Sequence, residues 1–289
     1  MGLLLALLAS ASSGISVIFS KKGLAAVDQY LVNGITDTVI TVIFAAAALM
    51  SGSLVQLTEL AHPGYLAISS VTLAVTWVFY YLGLAEGPAG GVLALQNLSI
   101  VFTMVLEHLV LAAPLTVPML AGAVLIGIAS VLMTLPTAGD KGTAQQTKSY
   151  RWIVYEILSA AFMSVSFVFT KMDTSPVDSN VASMLRYGVV ALVAWICVPV
   201  FTKNVREKVT HIDKGAWESV LLGAVFLGAG YICLYRAMTM ETATLVTTVF
   251  RFNIVITVAL SVFFLKEKQE KSSIAGLVAM TAGIVLFAV

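Results

Sequence analysis

The stretch NIVITVAL, Asn253 to Leu260, repeats an earlier stretch, SIVFTMVL, Ser99 to Leu106. The two lie 154 residues apart, and the same offset superposes further identical pairs: Tyr81 on Tyr235, Ala89 on Ala243, Leu111 on Leu265 and Gly122 on Gly276. Nearer the N-terminus, SVIFSK (Ser16 to Lys21) matches SFVFTK (Ser166 to Lys171) at an offset of 150 residues. The chain is therefore predicted to contain two copies of one unit, residues 1–136 and 152–289, joined by a polar linker at residues 137–151.

The composition places both copies in a membrane. Hydrophobic residues make up 59% of the 289 residues and charged residues only 11%, whereas a soluble domain carries about 25% charged residues. An apolar run of about 20 residues is long enough to cross a bilayer as a helix. Ten such runs are predicted, at residues 2–20, 31–52, 64–84, 87–106, 115–135, 152–170, 179–201, 215–235, 242–265 and 272–289. The predicted fold class is an all-α integral membrane protein with ten transmembrane helices.

Five helices per copy have a topological consequence. Because five is odd, the second copy must enter the membrane upside down relative to the first. Inverted repeats are an architecture of secondary transporters, whose substrate site lies near the bilayer midplane between the repeats. Duplication alone could also have produced a large helical bundle, so the polar residues at mid-membrane depth carry the functional prediction.

Several stretches in their order also resemble a known family. They are SFVFTK at the end of helix 6, Arg186 early in helix 7, Ala243 before a long helix, and FLKEK (Phe264 to Lys268) before a last helix with glycines. Over nearly the whole chain, this order and the repeat resemble the drug/metabolite transporter superfamily, EamA-like branch. The resemblance implies a secondary transporter of a small metabolite. It also implies a cavity lined by helices 1–4 and 6–9, with helices 5 and 10 outside it.

The chain departs from the family pattern at two kinds of position. A glutamate often ends helices 4 and 9 in the family; Glu267 matches it, whereas the first copy has Ala113. The proline common early in these helices is replaced by Ile100 and Ile254. These departures leave the subfamily, and hence the substrate, open.

Arg251 lies about nine residues into predicted helix 9, so about 14 Å deep at about 1.5 Å per residue. An arginine near the centre of a bilayer costs about 2.5–3.5 kcal/mol on insertion scales, so it is expected to face the protein interior or a wet cavity. Its equivalent in the first copy is Asn97, which predicts a central site between the copies. The residues predicted to bind substrate there are Arg251, Asn97, Gln96, Asp37, Asn253, Thr247, Trp77, Tyr81 and Tyr231.

Alternatives remain open for several of these residues. Arg251 is expected either to bind a carboxylate or phosphate of the substrate, or to pair with Asp37 in helix 2 as a structural contact. The aromatic residues either stack on a substrate ring or pack as a wall. Near the face that carries the termini, Arg186, Glu107 and Arg236 are predicted to form an ion pair that gates the path or locks one conformation. For coupling to protons, Asp37 is the leading candidate and Glu86 a weaker one; exchange without an ion is an equal alternative.

The charge distribution predicts the orientation. Twelve of the 16 basic residues fall in loops at the face opposite the termini, so the positive-inside rule places that face in the cytoplasm and both termini outside. The resemblance instead implies cytoplasmic termini, and we follow the charge count. We refer below to the face with the termini as face A and to the opposite face as face B. The plasma membrane is the expected location.

The function expected from these features is export or exchange of amino acids or other small organic anions. A sugar or nucleotide-sugar carrier is the alternative, and a hydrophobic cation is disfavoured because the midplane charge is positive. An enzyme is disfavoured because no HExxH, GxSxG or Gly-rich phosphate loop occurs, and a receptor because the loops are short. No cofactor or metal is predicted. The expected partners are a small-molecule substrate and the lipid bilayer, with no nucleic acid, and the protein is expected to be a monomer or a homodimer.

Overall fold

The structure is a computed structural model that describes residues 1–58, 62–134, 150–173, 177–202, 205, 212–241 and 243–287. Its helices are α1 (Gly2–Leu24), α2 (Gln29–Met50), α3 (Pro63–Glu86), α4 (Ala89–Gln96), α5 (Leu98–Leu111), α6 (Val117–Thr134), α7 (Arg151–Met172), α8 (Ser179–Phe201), α9 (Lys214–Met238), α10 (Ala243–Arg251), α11 (Asn253–Leu260) and α12 (Lys271–Phe287). A short 3₁₀ turn covers Ser53–Thr58, and a π-helical turn, Ser261–Leu265, follows α11. Most of the predicted linker lies outside the described residues.

The membrane-spanning prediction is confirmed. In the described chain, nine helices are at least 18 residues long and apolar enough to cross a bilayer, when α4 and α5 count as one span and α10, α11 and the π turn as another. The tenth predicted span corresponds to α12, a shorter apolar helix. The protein is therefore an all-α, multi-pass integral membrane protein.

Two helix starts show how the repeated sequence acts locally. Asp28 and Asp178, 150 residues apart, are the residues before α2 and α8. Each carboxylate accepts a hydrogen bond from the backbone N–H two residues later, from Tyr30 at 3.1 Å and from Asn180 at 2.9 Å. Such N-caps contribute about 0.5–2 kcal/mol each because they satisfy amides that the first turn leaves free. The matching Val-Asp pairs of the sequence thus begin two helices in the same way.

Helices from the two predicted copies pack against each other in pairs. The main pairs are α1 with α9, α2 with α8, α3 with α7, and α6 with α12. Small residues allow the close approach, since a Cβ at Gly223 of α9 would stand 3.1 Å from the backbone nitrogen of Ser20 in α1. None of the described residues of α6 and α12 lines the central cavity presented below. This agrees with the peripheral place expected for helices 5 and 10.

The predicted spans at 87–106 and 242–265 correspond to the spans Ala89–Leu111 and Leu245–Leu265, and each contains a one-residue turn. The first is interrupted at Asn97 and the second at Phe252, which separate α4 from α5 and α10 from α11. The two segments also end alike, because Ala112 and Lys266, again 154 residues apart, adopt left-handed conformations with φ of 53° and 56°. A non-glycine residue in that region costs about 1–2 kcal/mol. The inverted relation of the two copies itself stays a prediction.

Candidate functional site

A central cavity opens where the two interrupted helices meet α1, α3, α7 and α9. The empty space of the cavity, including the part that is open to solvent, is about 580 Å³. Its described lining residues are Ser13, Ser16, Val17, Ser20, Trp77, Tyr80, Tyr81, Leu93, Gln96, Asn97, Met163, Leu227, Tyr231, Phe250, Arg251 and Asn253. Seven of the nine predicted substrate-binding residues lie in this wall: Arg251, Asn97, Gln96, Asn253, Trp77, Tyr81 and Tyr231.

Arg251 and Asn97 contact each other directly. The Nη1 group of Arg251 donates a hydrogen bond of 3.0 Å to the Oδ1 atom of Asn97. Arg251 is the last residue of α10 and Asn97 lies between α4 and α5, so the contact joins the two helix interruptions. The expectation that positions 97 and 251 meet at one site therefore agrees with the geometry.

Two buried N–H groups of residues that line the cavity have no hydrogen-bond partner. Because the Asn97 carbonyl accepts from Arg251, its Nδ2 group must point elsewhere, and that group has no hydrogen-bond partner. The indole Nε1 of Trp77 is likewise buried without a partner. Both free groups are N–H donors, and a buried donor without an acceptor costs about 1–3 kcal/mol. The described lining residues include no acid, so the wall is suited to a ligand that supplies acceptors or negative charge.

Other polar groups of the wall are already paired with the protein. The Oε1 atom of Gln96 accepts a hydrogen bond of 2.9 Å from Ser159, and Asn253 Nδ2 donates one of 3.1 Å to Ser13. These contacts tie α7 to α4 and α1 to α11 at the level of the cavity. They hold the two amides in place, which fixes the part of the wall that surrounds Arg251.

Aromatic side chains form one side of the cavity. Trp77 meets Tyr80 edge to face with ring centroids 5.1 Å apart, and Tyr80 meets Tyr81 in the same way at 5.4 Å. From α9, Tyr231 lies against Phe250 with centroids 6.3 Å apart. All of them line the cavity while they pack on each other. Both roles left open for these residues are therefore compatible with the geometry.

Two predicted substrate-binding residues lie outside the cavity wall. Asp37 is 1% exposed within α2, and no ion pair joins it to Arg251, although both residues are described. The expected resting pair is absent because Arg251 turns toward Asn97 instead. Thr247 is exposed on α10. Thr247 shares a helix face with Arg251. Arg251, however, is at the end of the helix, and only its longer side chain extends into the cavity.

The predicted gating contact among Arg186, Glu107 and Arg236 does not form. Arg186 is buried and donates from Nη2 to the hydroxyl of Ser166 at 3.1 Å, whereas Arg236 is exposed. Glu107 instead forms an ion pair of 3.0 Å with Lys171, at the end of α7. The physical reason is depth: Arg186 points into the interior, and Lys171 extends along the surface to reach the acid. Glu86, the weaker proton-carrier candidate, is exposed at the end of α3.

The sequence did not predict a set of hydrogen bonds at face B, which we call the closure at face B. Lys21 Nζ donates to the carbonyl oxygens of Leu84, at 2.6 Å, and of Gly87. Glu267 Oε1 accepts a 3.2 Å hydrogen bond from the N–H of Ala89, the first residue of α4. We name residues 83–89 the α3–α4 corner. Two features of the sequence could have indicated these contacts: Lys21 is the equivalent of Lys171 in the repeat, and Glu267 lies at the end of predicted helix 9.

The serines of α1 were also missed. Ser13, Ser16 and Ser20 line the cavity, and their spacing of three and four residues places them on one face of the helix. That spacing was available in the sequence. For metals, the described residues include no cluster of three or more histidine, cysteine, aspartate or glutamate side chains arranged to hold an ion.

Comparisons with known proteins found a family, a curated relative and a solved structure that are similar to this chain. The sequence profile of the EamA-like transporter family matches residues 1–135 and 150–289. A curated relative from Sinorhizobium sp, described as "Uncharacterized transporter in cobO 3'region", is 28% identical over 141 residues, which are 49% of this chain and 99% of the relative. A protein of known crystal structure aligns with a TM-score of 0.66 at 16% identity over 96% of this chain and 95% of that chain. That last likeness concerns the fold alone.

Proposed function

We propose that this protein, which belongs to the EamA-like transporter family of the drug/metabolite transporter superfamily, exports or exchanges amino acids or other small organic anions. As a family member it is a multi-pass membrane transporter. The substrate class and the alternating-access mechanism are our proposal. The observation that carries it is that Arg251 lines the same cavity as Asn97 and Trp77, whose Nδ2 and Nε1 donors have no partner, and that the described lining residues include no acid.

A carboxylate of the substrate would satisfy these groups together. The guanidinium of Arg251 can bind a carboxylate through two N–H groups, which adds orientation as well as energy. For an amino acid, the ring faces of Trp77 and the neighbouring tyrosines would receive the ammonium group.

Alternating access is supported by the way the helices are paired. Each main pair joins one helix from each predicted copy, so a rocking motion of one copy against the other would open one face as it closes the other. Lys21 and Glu267 hold the α3–α4 corner at face B. We place face B in the cytoplasm and both termini outside, in the plasma membrane. Accessibility of terminal tags from outside intact cells tests that orientation, and cytoplasmic tags would contradict it.

A sugar or nucleotide-sugar carrier is the second candidate. The aromatic side of the cavity favours it, since Trp77, Tyr80 and Tyr81 could stack on a sugar or base ring. A neutral sugar would leave the charge of Arg251 without a counter-charge. Exchange of a neutral sugar that competes fully with an anionic substrate would favour this candidate.

The test is counterflow in proteoliposomes with a panel of acidic, neutral and cationic metabolites, comparing the native protein with Arg251→Gln. A hydrogen bond to a charged group contributes about 1.5–3 kcal/mol, which corresponds to a loss of about ten- to a hundredfold in apparent affinity for carboxylates. The matched control is Arg236→Gln, which removes an exposed arginine. Exchange of neutral or cationic metabolites at equal rates in all three proteins would show that Arg251 is structural and the proposal is wrong.

A further inference from the structure

Glu156 is a buried acid that the proposed site does not use. It lies on α7, five residues after the helix begins at Arg151, and its exposed fraction is 0%. Neither carboxyl oxygen has a hydrogen-bond partner, and no ion pair joins it to a basic residue of the described chain. An isolated carboxylate buried among apolar groups is so costly that the group becomes neutral by taking up a proton. In this conformation, the ligand that suits Glu156 is therefore a proton.

The packing around Glu156 places it behind the closure at face B. Its carboxyl group lies so close to Gly83 that a methyl group at position 83 would overlap it. One turn earlier on α7, the ring of Trp152 packs against Gly87 in the same way. The carbonyl groups of Leu84 and Gly87 are those that bind Lys21. The acid thus contacts the α3–α4 corner from one side while Lys21 holds it from another.

The same face of α7 leads from Glu156 to the cavity. Ser159 and Met163 follow it at spacings of three and seven residues. Ser159 donates its hydrogen bond to Gln96, and both Gln96 and Met163 line the cavity. A change at Glu156 therefore reaches the wall of the proposed site through one rigid helix.

Few titratable groups face Glu156 from the elements packed on α7, which are α3, α4 and α5. On α3, Tyr80 lies within electrostatic range, and Glu86 is exposed beyond the corner. α4 carries no titratable side chain, and α5 carries only Glu107 and His108, near the opposite face. On α7 itself the neighbours are Arg151 and Tyr155, whose ring is stacked on Phe79.

We infer that Glu156 binds the proton that couples transport to the proton gradient, an inference that rests on the proposed transport function. With face B closed, the carboxyl group is dry and protonated against Gly83. Opening of face B separates α3 from α7, which come from different copies, and water reaches the carboxyl group. The proton then leaves to water on that side, and the ionised group resists closure until it is protonated again. The carboxyl O–H bond breaks as an O–H bond to a water molecule forms, so one proton moves and no other bond changes.

The first experiment needs no substrate. Infrared difference spectra of the reconstituted full-length protein are recorded while the pH is raised, and the carbonyl band of a protonated carboxylic acid is followed. We expect the native protein and the exposed-acid control Glu218→Gln, whose side chain is 60% exposed, to lose a band component that Glu156→Gln lacks and Asp37→Asn keeps. Asp37→Asn tests the rival carrier. A band that persists in Glu156→Gln and is absent from Asp37→Asn would overturn the inference.

The second experiment uses a metabolite found to exchange in the counterflow panel. One proton per cycle supports up to about tenfold accumulation for each pH unit of gradient. Glu156→Gln mimics the protonated acid, so we expect it to keep counterflow and to lose accumulation driven by the gradient. Accumulation equal to that of the native protein would overturn the inference. If no panel member exchanges while the infrared band still depends on Glu156, the proposed substrate class is wrong and the proton site stands.

Discussion

Two lysines at equivalent positions close opposite ends of the molecule by different means. Lys21, at face B, is half-buried and donates to two backbone carbonyl groups at the α3–α4 corner. Lys171, 150 residues later at face A, is 57% exposed and pairs with the carboxylate of Glu107 at 3.0 Å. An exposed ion pair contributes about 0–1 kcal/mol, whereas a hydrogen bond from a charged donor contributes about 1.5–3 kcal/mol. From this difference we expect face B to be held more firmly than face A.

The largest effect on this comparison is expected from Lys21→Met. The change leaves two carbonyl groups of the corner without their donor, so the closed form of face B loses about 1.5–3 kcal/mol. The measurement is the rate at which an impermeant maleimide, added at face B, labels Ser20→Cys in a protein without its native cysteines. We expect labelling to become about ten- to a hundredfold faster. Lys22→Met, which alters the exposed neighbouring lysine, is the control, and equal rates in the two variants would contradict the assignment.

An intermediate effect is expected from Glu267→Gln. The amide can still accept the hydrogen bond from Ala89 but lacks the charge that favours the start of α4, a difference of about 0.3–1 kcal/mol. In the same labelling assay the rate should rise about two- to fivefold. Glu267→Ala also removes the hydrogen-bond acceptor, so it should raise the labelling rate more than Glu267→Gln does. Identical effects of the two changes would show that the hydrogen bond contributes nothing to closure.

The smallest effect is expected from Lys171→Gln. Because the pair with Glu107 is exposed and screened by salt, labelling of Met163→Cys from face A should change by less than about fivefold. Glu107→Gln should give the same result, since it removes the other half of one contact. A change in labelling rate as large as that expected for Lys21→Met would show that faces A and B are held equally firmly, which would contradict the comparison.

Much of the fold could be predicted because it depends on local composition and on repetition. Apolar runs predict the spans, and the matching Val-Asp pairs correspond to the caps at Asp28 and Asp178. The meeting of Asn97 with Arg251 also follows from the offset and from the cost of a charge at the midplane. The helix interruptions could not be predicted, because Ile100 and Ile254 stand where a proline would have indicated a break.

The candidate site was only partly accessible to the same reasoning. Asp37 and Glu156 are both acids within spans, but only three-dimensional packing shows that neither lines the cavity and that Glu156 lies against Gly83. The prediction for Thr247 did not agree with the structure, because helix periodicity gives the direction of a side chain and not whether it is long enough to enter the cavity. The pairing of Lys171 with Glu107 depends on which long side chain extends along the surface, and spacing along the chain does not encode that.

The contact between Asn97 and Arg251 also gives the cavity a polarity. Two arginines at these positions would repel each other across about 3 Å, and two asparagines would leave no charge to attract an anion. With one arginine and one asparagine, the positive charge of the site comes from the second half of the chain and the neutral amide from the first half. We therefore expect a substrate with one acidic end to bind in a single orientation, with that end toward Arg251, whichever face is open.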